Sequence, residues 1–352
     1  MLNKFASTKL EFHIIQSFPV SCLNRDDVGS PKSAIIGGVE RARVSSQCWK
    51  RAIRMAMHNM NVPVAERTKL IVSKIANACV AQGADPEVAK ECGKKGAGLL
   101  TKSVKDGVSD TLFFISNSEA NAVAKFFADA DFDANKINDK DFLKVFKNAF
   151  DPAHDGIDIA LFGRMVANAP ELNVEAAVSV AHAISTHKVA SEIDFFTAVD
   201  DVNHSESGAA HMGTLEYNSA TYYRYVSVDL GQLAESVKTE NIDESVAAFM
   251  KALFVAYPSA RQTTMAAACP WNYAIVALRK GQGIQIPFNK PVKNSYDSNM
   301  VDESIKALNA NFNNVERMYG SLFGLKAKFE ISETKGSIDS LIADVLSEID
   351  KI

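Results

Sequence analysis

The chain has 352 residues, 47% hydrophobic and 23% charged, with 42 acidic against 38 basic side chains and a formal net charge of −4. That balance fits a soluble globular protein with room for two domains, or one domain with a large insertion. There is no apolar run of about 18 residues, which excludes a membrane span, and MLNKFASTKLEFHIIQ lacks the apolar core and cleavage site of a secretory signal.

The five cysteines (Cys22, Cys48, Cys79, Cys92, Cys269) are scattered with no C-x-x-C, the pattern of reduced thiols in a cytoplasmic protein. The net charge conceals an asymmetry. Residues 1–60 carry nine basic and four acidic side chains, whereas residues 301–352 carry six and nine. A local basic surface is enough to attract phosphates.

In chain order, KLEFHIIQSF alternates, with Leu10, Phe12 and Ile14 on one side and Glu11, His13 and Ile15 on the other. This predicts a strand with one well-buried face. SCLNRDDVGSPKSAIIGG reads as a long loop, and long loops are more often functional than idle. RARVSSQCWKRAIR, Arg41 to Arg54, holds five basic residues and no acid. Ser45 or Ser46 can cap the helix that follows. On that helix Gln47, Lys50, Arg51 and Arg54 share one face, and Trp49, Ala52, Ile53 and Ala56 form the face that buries.

Residues 60 to about 150 read as all-helical. Pro63 suits a first helical turn and Gly83 an end, with Leu70, Ile71, Ile75, Ala78 and Cys79 between them. Asp85-Pro86-Glu87 starts a second helix. DKDFLKVFKNAF gives a third, with Phe142, Phe146, Ala149 and Phe150 as its apolar stripe and Lys140, Lys144 and Lys147 as a basic row opposite. Beyond it, GIDIALFGRMVAN reads as a strand leaving a glycine turn and AAVSVAHAIST as a buried helix. Residues from Phe195 to Leu230 read as two extended arms joined by a polar turn near Asn203–Gly208. Residues 242–257 and 301–319 are predicted helices.

The sequence holds no complete catalytic constellation. There is no phosphate-binding loop, and KGQGIQI stops after two glycines. Asp129, Asp131 and Asp133 open like a calcium loop, but Ala134 and Lys140 stand where glycine and glutamate are needed. His182 and His187 are five residues apart, about 140° on a helix, so they do not share a face as a metal pair would. Ser185 and Lys188 match S-x-x-K without the companion motifs. Asp26-Asp27 and Asp200-Asp201 are candidates for a divalent ion, against the plainer reading of turn chemistry. Two cationic rows on different elements favour binding to a phosphate backbone, against solvated faces of amphipathic helices.

These residues resemble a known family. SCLNRDD (Ser21–Asp27), AIIGG (Ala34–Gly38) and RVSSQ (Arg43–Gln47) with Lys50, Arg51, Ala52 and Arg54 come first. DIALFGRM (Asp158–Met165), AHAI (Ala181–Ile184) with Thr186-His187, DFFTAVDD (Asp194–Asp201), AHMGT (Ala210–Thr214) and Tyr223-Arg224-Tyr225 follow in order. Together they are similar to the CasC-type backbone subunit of the type I-E CRISPR Cascade complex. The match covers roughly residues 10–225; the helical block and the C-terminal third match loosely. It lapses at Val39-Glu40, where the family carries basic residues, and at Phe195, where it carries tryptophan.

The resemblance implies an α+β fold: a modified RNA-recognition-motif (ferredoxin-like) palm, a large helical fingers insertion and a β-hairpin thumb. The palm would be residues 1–60, 151–187 and 223–352, the fingers 61–150 and the thumb 188–222. It implies a non-catalytic subunit that polymerises along CRISPR RNA and presents the guide to target DNA, beside other Cascade subunits, with no cofactor, metal or membrane. Arg25, Lys32, Ser45, Ser46, Gln47, Lys50 and Arg54 would line the RNA groove, together with Asn24 and Arg51. Lys140, Lys144 and Lys147 would form a finger row. Met165, after Gly163-Arg164, would wedge at a kinked nucleotide, with Arg164 also on the RNA. Phe195, Phe196, Thr197 and Met212 would cover the flipped base, and Tyr223 and Tyr225 would pack the palm. The alternatives are a divalent-metal ribonuclease like the type III relatives, using Asp26 or Asp27, and an RNA-binding protein acting alone.

Overall fold

The structure, a computed structural model, describes residues 3–198 and 211–352. Asp200, Asp201 and the turn expected near Asn203–Gly208 lie outside the described residues. The fold is α+β. Its described residues fall into two units. The first holds the segment ending at Ala6, Met57–Ser179 and Val228–Ala248; the second holds Ser7–Ala56, Val180–Ser227 and Phe249–Ile352.

The first strand, β1 (Thr8–Ser21), is buried on both faces rather than one. The apolar side packs Phe12 against Phe249, with ring centroids 6.2 Å apart. The other side, Glu11 and His13, lies under Phe312, whose ring meets that of His13 edge-on at 5.5 Å. The stretch expected as a loop holds a strand, β2 (Ser33–Ile36), which forms a hairpin with β3 (Val39–Val44) just beyond it, Ile36 opposite Val39. Gly37 (φ 62°) and Gly38 (φ 78°) make the turn, the left-handed pair that matches strand twist. A Cβ on Gly37 would lie 1.8 Å from the Asn289 carbonyl oxygen, so only glycine fits.

Helix α1 (Ser46–Asn59) follows. Helix α2 (Ile71–Ala81) starts eight residues after Pro63. The intervening Glu66–Thr68 is extended and pairs with Phe113–Ile115, and the Ala65 amide donates to Asp158 Oδ1 at 2.8 Å. A second short hairpin, Val104–Lys105 with Val108–Ser109, further corrects the all-helical expectation. Helix α3 (Pro86–Leu100) begins as expected, Asp85 accepting from the Glu87 amide. Helix α4 (Asn117–Ala128) has a Ser116/Glu119 capping box. Helix α5 (Asp139–Asn148) buries Phe142 and Phe146.

GIDIALF is not a strand. Residues Ile157–Phe162 form a short helix, α6, bounded by Gly156 and by Gly163 at φ 81°. A short apolar run buried on all sides fits either element, and periodicity does not separate them. AAVSVAHAIST is not a helix. It forms β4 (Val178–Val180) and β5 (Ala183–Ser185). There β5 is held between two partners, with Ser185 opposite Tyr222 and Ile184 opposite Arg43. Pairing on both edges outweighs the helix preference of alanine.

The two extended arms are β6 (Glu192–Ala198) and β7 (His211–Asp229), antiparallel from Glu192↔Tyr217 to Ala198↔His211. Then come α7 (Leu230–Val237), α8 (Ile242–Val255), β8 (Tyr273–Lys280), α9 (Met300–Tyr319), β9 (Leu325–Ser332) and α10 (Ile338–Ile349). Of these, α8 and α9 match the expected helices. Among the described residues nine strands form one sheet in the order β9-β8-β1-β7-β5-β3-β2, with β4 and β6 also pairing with β7.

A polar network stiffens the sheet's buried face. Glu11 accepts from Arg279 Nη1 and Tyr225 Oη, both at 2.6 Å, and from the Ile284 amide at 2.7 Å. Tyr223 Oη accepts from the Ile286 amide at 3.0 Å and lies 2.9 Å from His13 Nδ1. Burial, then Arg279, lowers the His13 pKa to about 3, so the ring is neutral. Tyr223 and Tyr225 are both buried. Among the described residues no helix is long and apolar enough to cross a membrane.

Candidate nucleic-acid interface

The helix α1 folds as its periodicity requires. Trp49, Ala52, Ile53 and Ala56 are buried, with Trp49 only 1% exposed. Arg224 stacks on the Trp49 ring at 3.5 Å, which places the indole in the core. The opposite face presents Gln47 and Arg51 to solvent with Lys50 and Arg54 half-buried. Burial lowers the Lys50 pKa, because a lysine stem lying along the protein keeps its ammonium close to a low-dielectric surface.

The helix start is fixed by groups to which the resemblance gives RNA contacts. Ser45 Oγ accepts from the Cys48 amide at 3.3 Å, and Asn24 Oδ1 accepts from the Ser45 amide at 2.9 Å. Asn24 and Ser45 therefore orient α1, while Ser46 Oγ lies 3.4 Å from Gln47 Oε1. Arg25 is exposed in the adjoining loop, bridged to Pro31. Asp26 holds that loop together: its Oδ1 accepts from the Val28 and Ser30 amides at 3.0 and 2.9 Å. This is turn chemistry. Among the described residues no three His, Cys, Asp or Glu side chains are grouped to hold a metal.

A second cationic cluster lies on the β3–β5 side of the same unit. Arg43 Nη1 donates to His182 Nδ1 at 3.2 Å. Burial and the nearby Arg43 and Lys32 lower the His182 pKa. Neither His182 nor His187 is on a helix. His187 Nε2 accepts from the Thr221 amide at 3.1 Å while Nδ1 meets the Lys188 carbonyl at 2.9 Å, which fixes the loop after β5. Ser185 Oγ donates to the His187 carbonyl and accepts from the Ala42 amide, so it is spent on structure.

The hairpin separates residues that the resemblance groups on one thumb surface. Thr197 faces Met212 and Phe195 faces Thr214. Strand alternation puts these on one face, with Phe195 and Met212 each 62% exposed. Phe196 is on the other face, opposite Gly213. Its ring occupies the space where a Gly213 Cβ would be, 2.6 Å away.

In the helical unit, Lys140, Lys144 and Lys147 are exposed on α5 opposite buried Phe142 and Phe146. Met165 is 86% exposed just after Gly163. Arg164, which the resemblance would put on the RNA, is a core residue here. It is 5% exposed and forms a 2.6 Å ion pair with Glu119. It also donates to the Leu172 and Phe114 carbonyls and lies over the Phe150 and Phe146 rings at 5.1 and 5.4 Å. Burial raises the Glu119 pKa, with Arg164 opposing.

A further basic cleft lies beside α1. Open and about 930 Å³ in volume, it runs between the Asn24–Gly29 loop, α1 and residues Tyr257–Arg261, and Arg25, Arg51 and Arg261 all line it. Nothing local marks Tyr257 or Arg261 in sequence, since the resemblance is loose there.

The sequence profile of the family described as CT1975-like protein matches residues 10–345. No curated protein matches the chain in sequence. A chain from a solved structure described as "CRISPR RNA-guided surveillance complex, pre-nicking" is similar at a TM-score of 0.81 and 27% identity, over 96% of this chain and 99% of that one. Another, from a "CRISPR RNA-guided surveillance complex", has a TM-score of 0.70 and 23% identity over the same shares and bears on the fold alone.

Proposed function

The chain belongs to the CT1975-like protein family, and from that premise we propose that it is the non-catalytic RNA-binding backbone subunit of a type I-E Cascade complex. The observation that carries this is the end-to-end similarity, 96% of one chain and 99% of the other, to a chain of an RNA-guided surveillance complex. In this reading copies stack head to tail along CRISPR RNA in the cytoplasm, with other Cascade subunits, and present the guide to a target DNA strand. A heterologous contact of that kind propagates without closing.

The strand order supports an RNA-recognition-motif-like palm. Taken as β1-α1-β5-β7-α8-β8, the core strands lie in the spatial order β8-β1-β7-β5, the arrangement of a split βαβ fold. The helical block would be the fingers and the β6–β7 hairpin the thumb. The spacer differs between guides, so the subunit must hold RNA without reading bases, and phosphate contacts do that. Lys50, Arg51, Arg54, Gln47, Arg25 and Lys32 would supply them, and Lys140, Lys144 and Lys147 would add a finger row. Met165, exposed and apolar, suits a wedge that offsets unstacking. Phe195, Thr197 and Met212 share the face that would cover a flipped base.

Purification with its operon partners is expected to yield a uniform small RNA, and adding complementary RNA with Mg²⁺ is expected to leave that RNA uncut. Absence of the small RNA would overturn the assignment. Cleavage abolished by Asp26→Ala or Asp27→Ala would replace it with the ribonuclease reading. Phe195→Ala, at an exposed position of the face that would cover a flipped base, is expected to lower folding stability by about 0.5 kcal/mol or less, while sedimentation shows loss of filament assembly. Unchanged assembly would count against the thumb.

A further inference from the structure

The cleft beside α1 has a wall that the resemblance does not assign. Arg25 enters it from the loop after β1, Arg51 from α1 and Arg261 from the loop after α8. Among the described residues none of these three guanidinium groups forms an ion pair. Two acids line the same cleft, Asp26 and Asp27. Asp26 is committed to two amides of its own turn, and Asp27 is exposed at the lip. Three cations against two carboxylates leave a net positive charge along the cleft.

The three cations share one cleft. Burial raises the Cys22 pKa, with Arg25 and Arg261 opposing it and Glu216 and Asp26 adding to it; burial likewise raises that of Cys48 against Arg51 and Lys32. Each cysteine also contacts a carbonyl of this loop region, Cys22 that of Gly29 and Cys48 that of Leu23. Tyr257, 43% exposed, stands in the same wall as Arg261.

The backbone holding Arg261 is unusual. Arg261 (φ 56°) and Ala266 (φ 47°) are both left-handed and bracket the single turn Gln262–Met265. Gln262 Nε2 ties the turn down by donating to the Pro258 carbonyl at 2.8 Å. Non-glycine residues rarely adopt this conformation, and such strain clusters at ligand clamps.

We propose that residues 257–266 form a wall of the RNA groove, with Arg261 as a phosphate contact and Tyr257 as a stacking platform for whichever base lies beside it. This rests on the reading of the protein as an RNA-binding subunit. A guanidinium fork and an exposed ring lining one cleft match the alternation of phosphate and base in a single strand. An acidic protein segment would use the arginines but leave the ring without a role.

The test is binding of a labelled single-stranded RNA of mixed sequence to the full chain at several salt concentrations. Arg261→Ala and Tyr257→Ala are each expected to weaken binding roughly tenfold. Only the arginine change should flatten the salt slope, by about 0.7. Arg261→Asn removes the charge while tolerating the left-handed backbone, so it reports even if the alanine variant unfolds, and Arg261→Lys should restore the slope. If the Arg261 and Tyr257 variants bind normally while Lys50→Ala with Arg54→Ala binds weakly, this wall is not part of the groove and the proposal fails alone. If neither set weakens binding, the RNA-binding reading fails with it. If the Arg261 variants keep RNA but lose self-association, the cleft takes a protein segment and the proposal is overturned.

Discussion

Arg164→Ala is expected to destabilise the protein by about 3–5 kcal/mol, the cost of leaving one member of a buried ion pair alone. Arg164 and Glu119 have side chains 2% and 0% exposed and meet at 2.6 Å. Removing the guanidinium also orphans the Leu172 and Phe114 carbonyls it bonds. A phosphate contact would behave differently, leaving stability unchanged and weakening RNA binding. Arg164→Lys separates the cases further. Lysine keeps the charge a surface phosphate needs but loses the planar fork that serves three oxygen partners and stacks on Phe150, so it should be nearly as destabilising as alanine.

The pH dependence has a definite sign. Burial raises the Glu119 pKa, so between its unfolded and folded values the native state holds more protons, and stability falls as pH rises through that window. Loss of Arg164 removes the main opposing influence and widens the window upward. The deficit of Arg164→Ala, measured by denaturant titration, should therefore be smaller near about pH 5 than near about pH 8. A deficit independent of pH would contradict this. So would a variant as stable as the parent.

Arg164 also shows where sequence stops being informative. In GRM it sits after a turn glycine beside an exposed methionine, and every local sign points to the surface. Its partner Glu119 is 45 residues away, and only the assembled core brings them together. The same limit explains β5, an alanine-containing segment that reads as a helix until Tyr222, Tyr223 and Arg43 provide edges to pair with. In β8, Ala274 to Arg279 are all buried, so no alternation was available to mark a strand. What the sequence did carry was local and periodic. The two faces of α1 follow from a 3.6-residue repeat, and the β6–β7 arms from a two-residue one. Arg261 carries no such mark, because its left-handed backbone is imposed by the loop around it.

Lys50→Ala combined with Arg54→Ala is expected to weaken RNA binding by roughly two orders of magnitude, taking each charge-assisted contact at about 1.5 kcal/mol or more. The salt slope should fall by about 1.4, for two single-strand phosphates released. The fold should persist, since alanine is the best helix former and the core face of α1 is untouched. The loss should be the same for unrelated guides, because phosphates carry no sequence information. Lys50 adds a second signature. Burial lowers its pKa in the free protein, and a bound phosphate would favour the charged form. RNA affinity should thus decline at alkaline pH earlier than an exposed lysine would require. Lys50→Arg should remove that decline while keeping affinity, since arginine does not titrate. A loss confined to one guide sequence would mean that α1 reads bases, and the sequence-independent grip proposed for this face would be wrong.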